Sequence, residues 1–84
     1  MTASDATHER REHFAHCIQV FGGMPAASRR LGIDERALRR FVNGDLPLSA
    51  NLLKDTATAL RSLVAEATAA ESHIAEMLGA AGEG

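Results

Sequence analysis

The 84-residue sequence contains no tryptophan or tyrosine, and it has only three phenylalanines, two prolines and one cysteine. Aromatic residues make up 4% of the chain against 45% for all hydrophobic residues, so the predicted core is aliphatic. Alanine and leucine dominate and β-branched residues are few, which favours helices over strands. A chain of this length forms one domain at most and leaves little room for a substrate-sized pocket. We therefore expect an all-α fold, a small bundle of four to five helices.

Several kinds of segment and site are also missing. No apolar run approaches the roughly 20 residues that cross a membrane, and the polar N-terminus lacks the apolar stretch of a secretory signal. The lone Cys17 cannot form an internal disulfide, which is typical of a reducing cytoplasm, where we expect the protein to act. No nucleophile–base pair, carboxylate pair or phosphate-binding loop is apparent, so we expect no enzyme and no cofactor.

His13 and Cys17 have the i, i+4 spacing that can supply two zinc ligands from one helix. A closed zinc site needs four ligands, and His8 and His73 are too scattered along the chain to complete it. Cys17 also falls on an apolar helix face. We therefore expect a buried thiol and no metal.

Charge is distributed unevenly, although the net charge is only −2. Residues 24–44 contain five arginines and two acidic residues, a local charge of +3, whereas residues 62–84 contain four glutamates and no lysine or arginine. The net charge argues weakly against a nucleic-acid partner, but the separation of charge predicts two faces with different functions.

Glycines divide the N-terminal half into helices. The first helix is predicted to begin at Ser4 as N-cap and to end at Gly22-Gly23. A second helix begins at Pro25, and Gly32 can adopt the left-handed conformation that ends it. The first helix carries an apolar face with the i, i+3, i+4, i+7 spacing of a core-facing helix: Phe14, Cys17, Ile18 and Phe21.

A third helix over about residues 34–42 follows the turn, with Asp34 as its cap and Asn43-Gly44 at its end. Its predicted inward face is Ile33, Leu38, Phe41 and Val42. Ser49 is placed to cap a fourth helix, which is free of glycine and proline as far as Leu78. This helix shows a heptad pattern with Leu53, Leu60, Ala67 and Ile74 at one core position and Thr56, Leu63, Ala70 and Met77 at the other.

The segment GGMPAASRRLGIDERALRRFVNGD (residues 22–45) resembles the helix-turn-helix of phage repressor and Cro-type regulators, the XRE-type, lambda-repressor-like fold. The resemblance covers about residues 14–63. Two positions depart from the family: Met24 replaces a polar residue that is often glutamine, and Ala27 replaces a larger apolar residue, so we expect looser packing there. The matching features are the small Ser28, the turn Leu31-Gly32-Ile33, apolar Leu38 and Phe41, and the closing Asn43-Gly44.

The resemblance implies that the third helix enters the major groove of DNA. Arginine pairs bidentately with guanine and glutamate accepts from cytosine, so the implied base-reading residues are Glu35, Arg36, Arg39 and Arg40. The residues implied to hold phosphates are Met24, Pro25 and Ala26, where the second helix begins and free N–H groups lie nearby, together with Arg29, Arg30, Asn43 and Lys54. The alternative is that the five arginines on the two short helices form an ordinary solvent-exposed surface.

The second half of the fourth helix either folds back or frays, or it pairs with the same helix of another subunit. Pairing is favoured because these apolar side chains are too numerous to leave in water. We therefore predict a helix-turn-helix domain over residues 5–62 (the motif itself at about 24–42), a dimerisation helix over 63–79 and a flexible tail over 80–84. The predicted dimer contacts are Leu60, Leu63, Val64, Ala67, Ala70, Ile74, Met77 and Leu78.

The function that follows is a homodimeric, sequence-specific regulator of transcription. Two recognition helices about 34 Å apart would read an inverted repeat in double-stranded DNA, and the simplest mechanism is repression, including autorepression, by occlusion of a promoter. Small proteins of this kind are typical of phages and mobile elements. The alternative is a protein-interaction module, such as an antitoxin or adaptor, in which the acidic C-terminal helix binds a protein partner.

Overall fold

A computed structural model describes the backbone of residues 3–83 and the side chains of residues 6–79. Over that range the chain forms four helices and no strand: α1 (Ala3–Phe21), α2 (Met24–Leu31), α3 (Glu35–Asn43) and α4 (Ala50–Glu83). The all-α prediction is confirmed. The predicted N-cap at Ser4 is wrong, because the helical backbone already begins one residue earlier. None of the described helices is both long enough and apolar enough to cross a membrane.

The core lies where α1 packs on the other three helices. Phe14 and Ile18 of α1 and Leu38 of α3 are the largest fully buried side chains, and the ring of Phe14 meets that of Phe41 edge-on at a centroid distance of 6.2 Å. The apolar face predicted for the first helix is therefore the face that is buried. Ala27 is 0% exposed, so the smaller side chain at this position is fully enclosed. The buried set is completed by Cys17, Phe21 and Leu52, with the polar Thr56.

The turn between α2 and α3 is held by three hydrogen bonds to one residue. The N–H groups of Gly32 and Ile33 donate to the Ser28 carbonyl at 2.9 and 3.2 Å, and the Ser28 hydroxyl donates to the Ile33 carbonyl at 2.6 Å. Gly32 has φ 67°, the left-handed conformation that only glycine adopts without steric cost. The Asp34 carboxylate then accepts from the Arg36 N–H at 3.2 Å, which confirms the predicted cap of α3.

Helix α4 has a half that packs on the domain and a half that leaves it. The Ser49 hydroxyl accepts from the Leu52 N–H at 3.0 Å, as predicted for the N-cap, and the buried Thr56 hydroxyl donates to the Leu52 carbonyl. Every residue from 64 to 79 is exposed, and we call this segment the arm. The arm makes the molecule elongated, with extents of 60 × 29 × 18 Å.

Two expectations for the C-terminal segment differ from the structure. The alternative in which the second half of the helix folds back is wrong, because α4 is continuous from Ala50 to Glu83. The backbone of residues 80–83, predicted as part of a flexible tail, is helical as well. Extending an existing helix adds a hydrogen bond for each residue that is ordered, and alanine has the highest helix propensity, so two alanines carry the helix past Gly79.

Candidate nucleic-acid interface

The outward face of α3 is a ridge of arginines. Leu38 is 0% exposed and anchors the inner face, while Arg36, Arg39 and Arg40 are all exposed on the side turned away from the core. Their i, i+3 and i+4 spacing places these side chains on adjoining turns of one face. The predicted inward and outward faces of this helix are therefore the faces observed. We call Arg36, Arg39 and Arg40 the arginine ridge.

Glu35 interacts with one member of the ridge. Its carboxylate oxygen lies 3.6 Å from Nη2 of Arg39, an i, i+4 ion pair in which both side chains remain substantially exposed. Exposed pairs of this kind contribute about 0–1 kcal/mol. The pair therefore orients Arg39 without removing it from solvent. It also places the Glu35 carboxylate, an acceptor, beside the Arg39 guanidinium, a bidentate donor.

The first turn of α2 offers backbone donors rather than side chains. Gly23 precedes this helix and provides no side-chain cap, and no acceptor for the N–H groups of Met24 and Ala26 is found in the described part of the chain. Pro25, predicted with them, has no N–H to donate, so its contribution is limited to its position at the helix start. The first-turn N–H groups and the helix dipole favour an anion at this end.

Arg29 and Arg30, predicted together as phosphate contacts, have different environments. Arg29 is exposed. The guanidinium of Arg30 instead donates two hydrogen bonds to the Glu66 carboxylate of α4, at 2.8 and 3.0 Å. These hydrogen bonds, helped by Coulomb attraction, lower the pKa of Glu66, and the same hydrogen bonds raise the pKa of Arg30. Arg30 is thus engaged within the chain and braces α2 against the base of the arm.

Asn43 and Lys54, the remaining predicted phosphate contacts, are both exposed. Asn43 is the last residue of α3, next to Gly44. Lys54 lies in the first turns of α4, on a different element from the ridge. Both are therefore accessible to a ligand, and Asn43 is the one that lies on the same helix as the arginine ridge.

Two residues that shape the site were not predicted. Ser28 was expected only to be small, but its hydroxyl fixes the α2–α3 turn. Arg11 of α1 reaches the C-terminal end of α3, where a Cβ added at Gly44 would collide with its guanidinium. A cation at that end complements the helix dipole. Arg10 and Arg11 also line a cleft of about 280 Å³ beside Phe41 and Leu46. Nothing in the spacing of Arg10-Arg11 within a polar helix segment indicated this placement.

The predicted dimer contacts divide into two groups. Leu60 and Leu63 are partly buried and pack against the core of their own domain, so part of each side chain is already covered within one chain. The other predicted contacts lie in the arm and are exposed: Val64, Ala67, Ala70, Ile74, Met77 and Leu78. The four large side chains among them are 55–67% exposed. An apolar strip of this size on one helix indicates an interaction surface.

Cys17 is buried at 5% exposure, as predicted, and burial raises the pKa of its thiol. His13 lies beside His16 on α1, with ring centroids 5.8 Å apart. No group of three or more metal-ligating side chains occurs among the residues whose side chains are described.

Comparisons with protein-family models, with curated proteins and with solved structures find no match to this chain. Three features of the molecule bear on its function: an exposed arginine ridge on a helix held by the α2–α3 turn, backbone donors at the start of α2, and an exposed apolar strip on the arm.

Proposed function

We propose that the protein is a dimeric, sequence-specific DNA-binding regulator of transcription, in which α2 and α3 act as a helix-turn-helix and α3 enters the major groove. The observation that carries this proposal is the arginine ridge. Arg36, Arg39 and Arg40 project from the face of α3 opposite the buried Leu38. This row of cations contributes nothing to the packing of the protein interior. It can, however, pair with guanine edges and with phosphates.

The dimensions of α3 fit such a role. Helix α3 has nine residues and is about 13 Å long. The major groove is about 12 Å wide, which is enough to admit an α-helix with its side chains. Glu35 at the start of α3 is suited to accept from cytosine, and the ridge is suited to guanine. Arg29, Asn43 and the first-turn donors of α2 are suited to phosphates, where they would set the orientation of the domain on the duplex.

The simplest mode of action is repression by occlusion of a promoter, including autorepression. Two copies joined through the arms would present two recognition helices to an inverted repeat, with half-sites about one helical turn apart. The acidic arm would be repelled by phosphates, so it would lie on the side of the molecule away from the duplex and leave the ridge to face it. The proposal assigns no reaction and no cofactor to the chain.

The test is a footprint and an affinity titration on the DNA upstream of the protein's own gene. Arg39→Ala should cost about 1–3 kcal/mol and relax the preference at one base pair. Arg29→Ala should weaken binding to all sequences alike. It should also reduce the slope of the logarithm of affinity against the logarithm of salt concentration by about one. Arg61→Ala is the matched control, because this exposed arginine lies on α4 with Nη2 3.2 Å from the Thr58 hydroxyl.

The proposal fails if Arg39→Ala and Arg29→Ala both bind as tightly as the parent. It fails equally if no duplex is bound at low ionic strength. A loss of affinity in Arg61→Ala as large as in Arg39→Ala would show a general charge effect rather than recognition by α3.

A second candidate function is a protein-interaction module, such as an antitoxin or adaptor. The observation that favours it is the exposed apolar strip of the arm, which carries Glu71 and Glu76 beside Ile74 and Met77. This function predicts a complex with another protein that survives Arg39→Ala and is lost in Ile74→Asp. The regulator proposal predicts that Arg39→Ala removes the DNA complex whether or not such a partner exists.

A further inference from the structure

The apolar strip of the arm continues the face by which α4 packs on its own domain. Leu60 and Leu63 share the heptad positions of the strip and are partly buried against the core. One heptad further on, Ala67 and Ala70 occupy the same positions and are exposed. The strip therefore belongs to the side of α4 that faces the core, but its own chain leaves this part uncovered. A partner that covers the strip must be apolar and must fit along one helix.

The strip has a gradient of side-chain size. Its first half carries alanines at 67 and 70, and its second half carries Ile74 and Met77, with Val64 and Leu78 at the two ends. A parallel, in-register pair of arms would put alanine against alanine and large side chains against large ones. Cores pack best when large and small residues face each other. The gradient therefore favours a partner with the same strip running in the opposite direction.

We infer that two copies of the chain pair antiparallel through their arms, centred near residue 72; this rests on the homodimer of the proposed function and specifies its interface. In this register Met77 faces the partner's Ala67, and Ile74 faces the partner's Ala70. Leu78 faces the partner's Val64. All four large exposed side chains of each copy are then covered.

The charges beside the strip agree with this direction. A parallel pair would place Glu66 of each copy next to Glu71 of the other, on both flanks of the interface. The antiparallel pair leaves only one such approach, between the two copies of Glu71. It also leaves Glu66 in its hydrogen bonds with Arg30.

The area is sufficient for a specific, moderately stable contact. The exposed apolar side chains of both strips amount to on the order of 1,000 Å², close to the lower limit for a specific interface. The register also sets a distance. The two copies of Leu60, which packs on the core of its own domain, would lie about 36 Å apart along the arms at 1.5 Å per residue. One turn of DNA is about 34 Å, so the two domains are held at a separation of the same order as that between adjacent major grooves.

Disulfide trapping between two variants, Ala67→Cys and Met77→Cys, tests the direction directly. The two chains, one of them carrying a tag that makes it heavier, are mixed as full-length proteins and oxidised with glutathione disulfide. The antiparallel register brings residue 67 against the partner's residue 77, whereas two copies of either residue lie about 15 Å apart along the arm. A disulfide needs Cα atoms within about 7 Å, so the mixed disulfide should exceed either homodisulfide by about tenfold. The parent chain is the control, because Cys17 is buried.

Predominant homodisulfides would show a parallel pair and overturn the inference. Dimers seen by sedimentation without any disulfide would place the interface elsewhere and overturn the inference. A parent chain that stays monomeric at roughly 100 times the concentration used for DNA binding would also overturn the inference. None of these results changes the contribution of Arg39 to DNA affinity, which is measured separately. Failure of the interface and failure of the proposed DNA contact are therefore distinguishable.

Discussion

At the scale of single residues, the angle between α2 and α3 depends on Ser28 and Gly32. The serine supplies a carbonyl that accepts two N–H groups and a hydroxyl that returns a bond to Ile33. The glycine supplies the left-handed backbone between the helices. Because the arginine ridge begins only four residues after Gly32, a change in this turn moves the whole ridge relative to α2.

Ser28→Ala should destabilise the fold by about 1–2 kcal/mol, because a partly buried carbonyl of Ile33 loses its donor. Urea denaturation measures the change in the free energy of unfolding. Ser62→Ala, an exposed serine on α4, should change stability by less than about 0.5 kcal/mol. Equal effects of the two substitutions would contradict the role assigned to the Ser28 hydroxyl.

Gly32→Ala should cost about 1–2 kcal/mol through backbone conformation alone, since no atom lies within 4 Å of the added Cβ. Gly79→Ala is a matched control, because its Cβ also meets nothing but its backbone is helical. That control should increase helicity, as alanine is favoured over glycine in a helix by about 1 kcal/mol. Thermal unfolding followed by circular dichroism measures both, and a neutral Gly32→Ala would show that the turn relaxes.

At the scale of helices, local signals account for what could be predicted from the sequence. Periodic apolar residues marked the buried face of α1 and both faces of α3, while Asp34, Ser49 and the glycines marked the helix ends. Contacts between distant segments left no such signal. Arg30 and Glu66 are separated by 35 intervening residues, and nothing near either one indicated the other.

The Arg30–Glu66 pair makes the stability of the protein dependent on pH. The pKa of Glu66 is lowered in the folded protein by its hydrogen bonds with Arg30. The contribution of the pair to stability is therefore present above the pKa that Glu66 has when unfolded, and it is lost as the pH falls through the lower folded value. Glu66→Gln should be less stable than the parent at pH 7, and the difference should vanish well below about pH 4.

Urea denaturation at several pH values measures this difference, and Glu71→Gln provides a control carboxylate on the same helix. High salt should reduce the difference at pH 7, because the Glu66 side chain is largely exposed to solvent. A stability difference between Glu66→Gln and the parent that stays constant from pH 7 to pH 3 would contradict a contribution from the charge of Glu66.

At the scale of the whole molecule, shape and charge are both divided between two ends. The radius of gyration of 17.1 Å exceeds the roughly 12 Å of a compact chain of this length, because the arm leaves the domain. The arginine ridge belongs to the domain, whereas Glu71 and Glu76 belong to the arm. The proposed contacts with DNA and the proposed contacts between copies can therefore be altered independently.

Ile74→Asp should break the proposed pairing of arms, because it places a charge in the middle of the apolar strip. Sedimentation should give the mass of one chain, and scattering should give a radius of gyration near 17.1 Å. Affinity for an inverted repeat should fall by about 100-fold, while affinity for one half-site is unchanged. Ser72→Asp, on the opposite side of the arm, carries the same charge and should leave the mass and both affinities as in the parent. A dimeric Ile74→Asp would contradict pairing through this strip.

Helix α4 has no proline or glycine between Ala50 and Leu78, and it passes from the domain into the arm without interruption. It therefore contains no hinge, and the Arg30–Glu66 pair adds a brace where the arm begins. For the proposed regulator this stiffness makes the operator's geometry a strict requirement. Inserting one base pair between half-sites moves them by about 3.4 Å and rotates them by about 35°. Such an operator should be bound by only one domain at a time, and its affinity should equal that of a single isolated half-site.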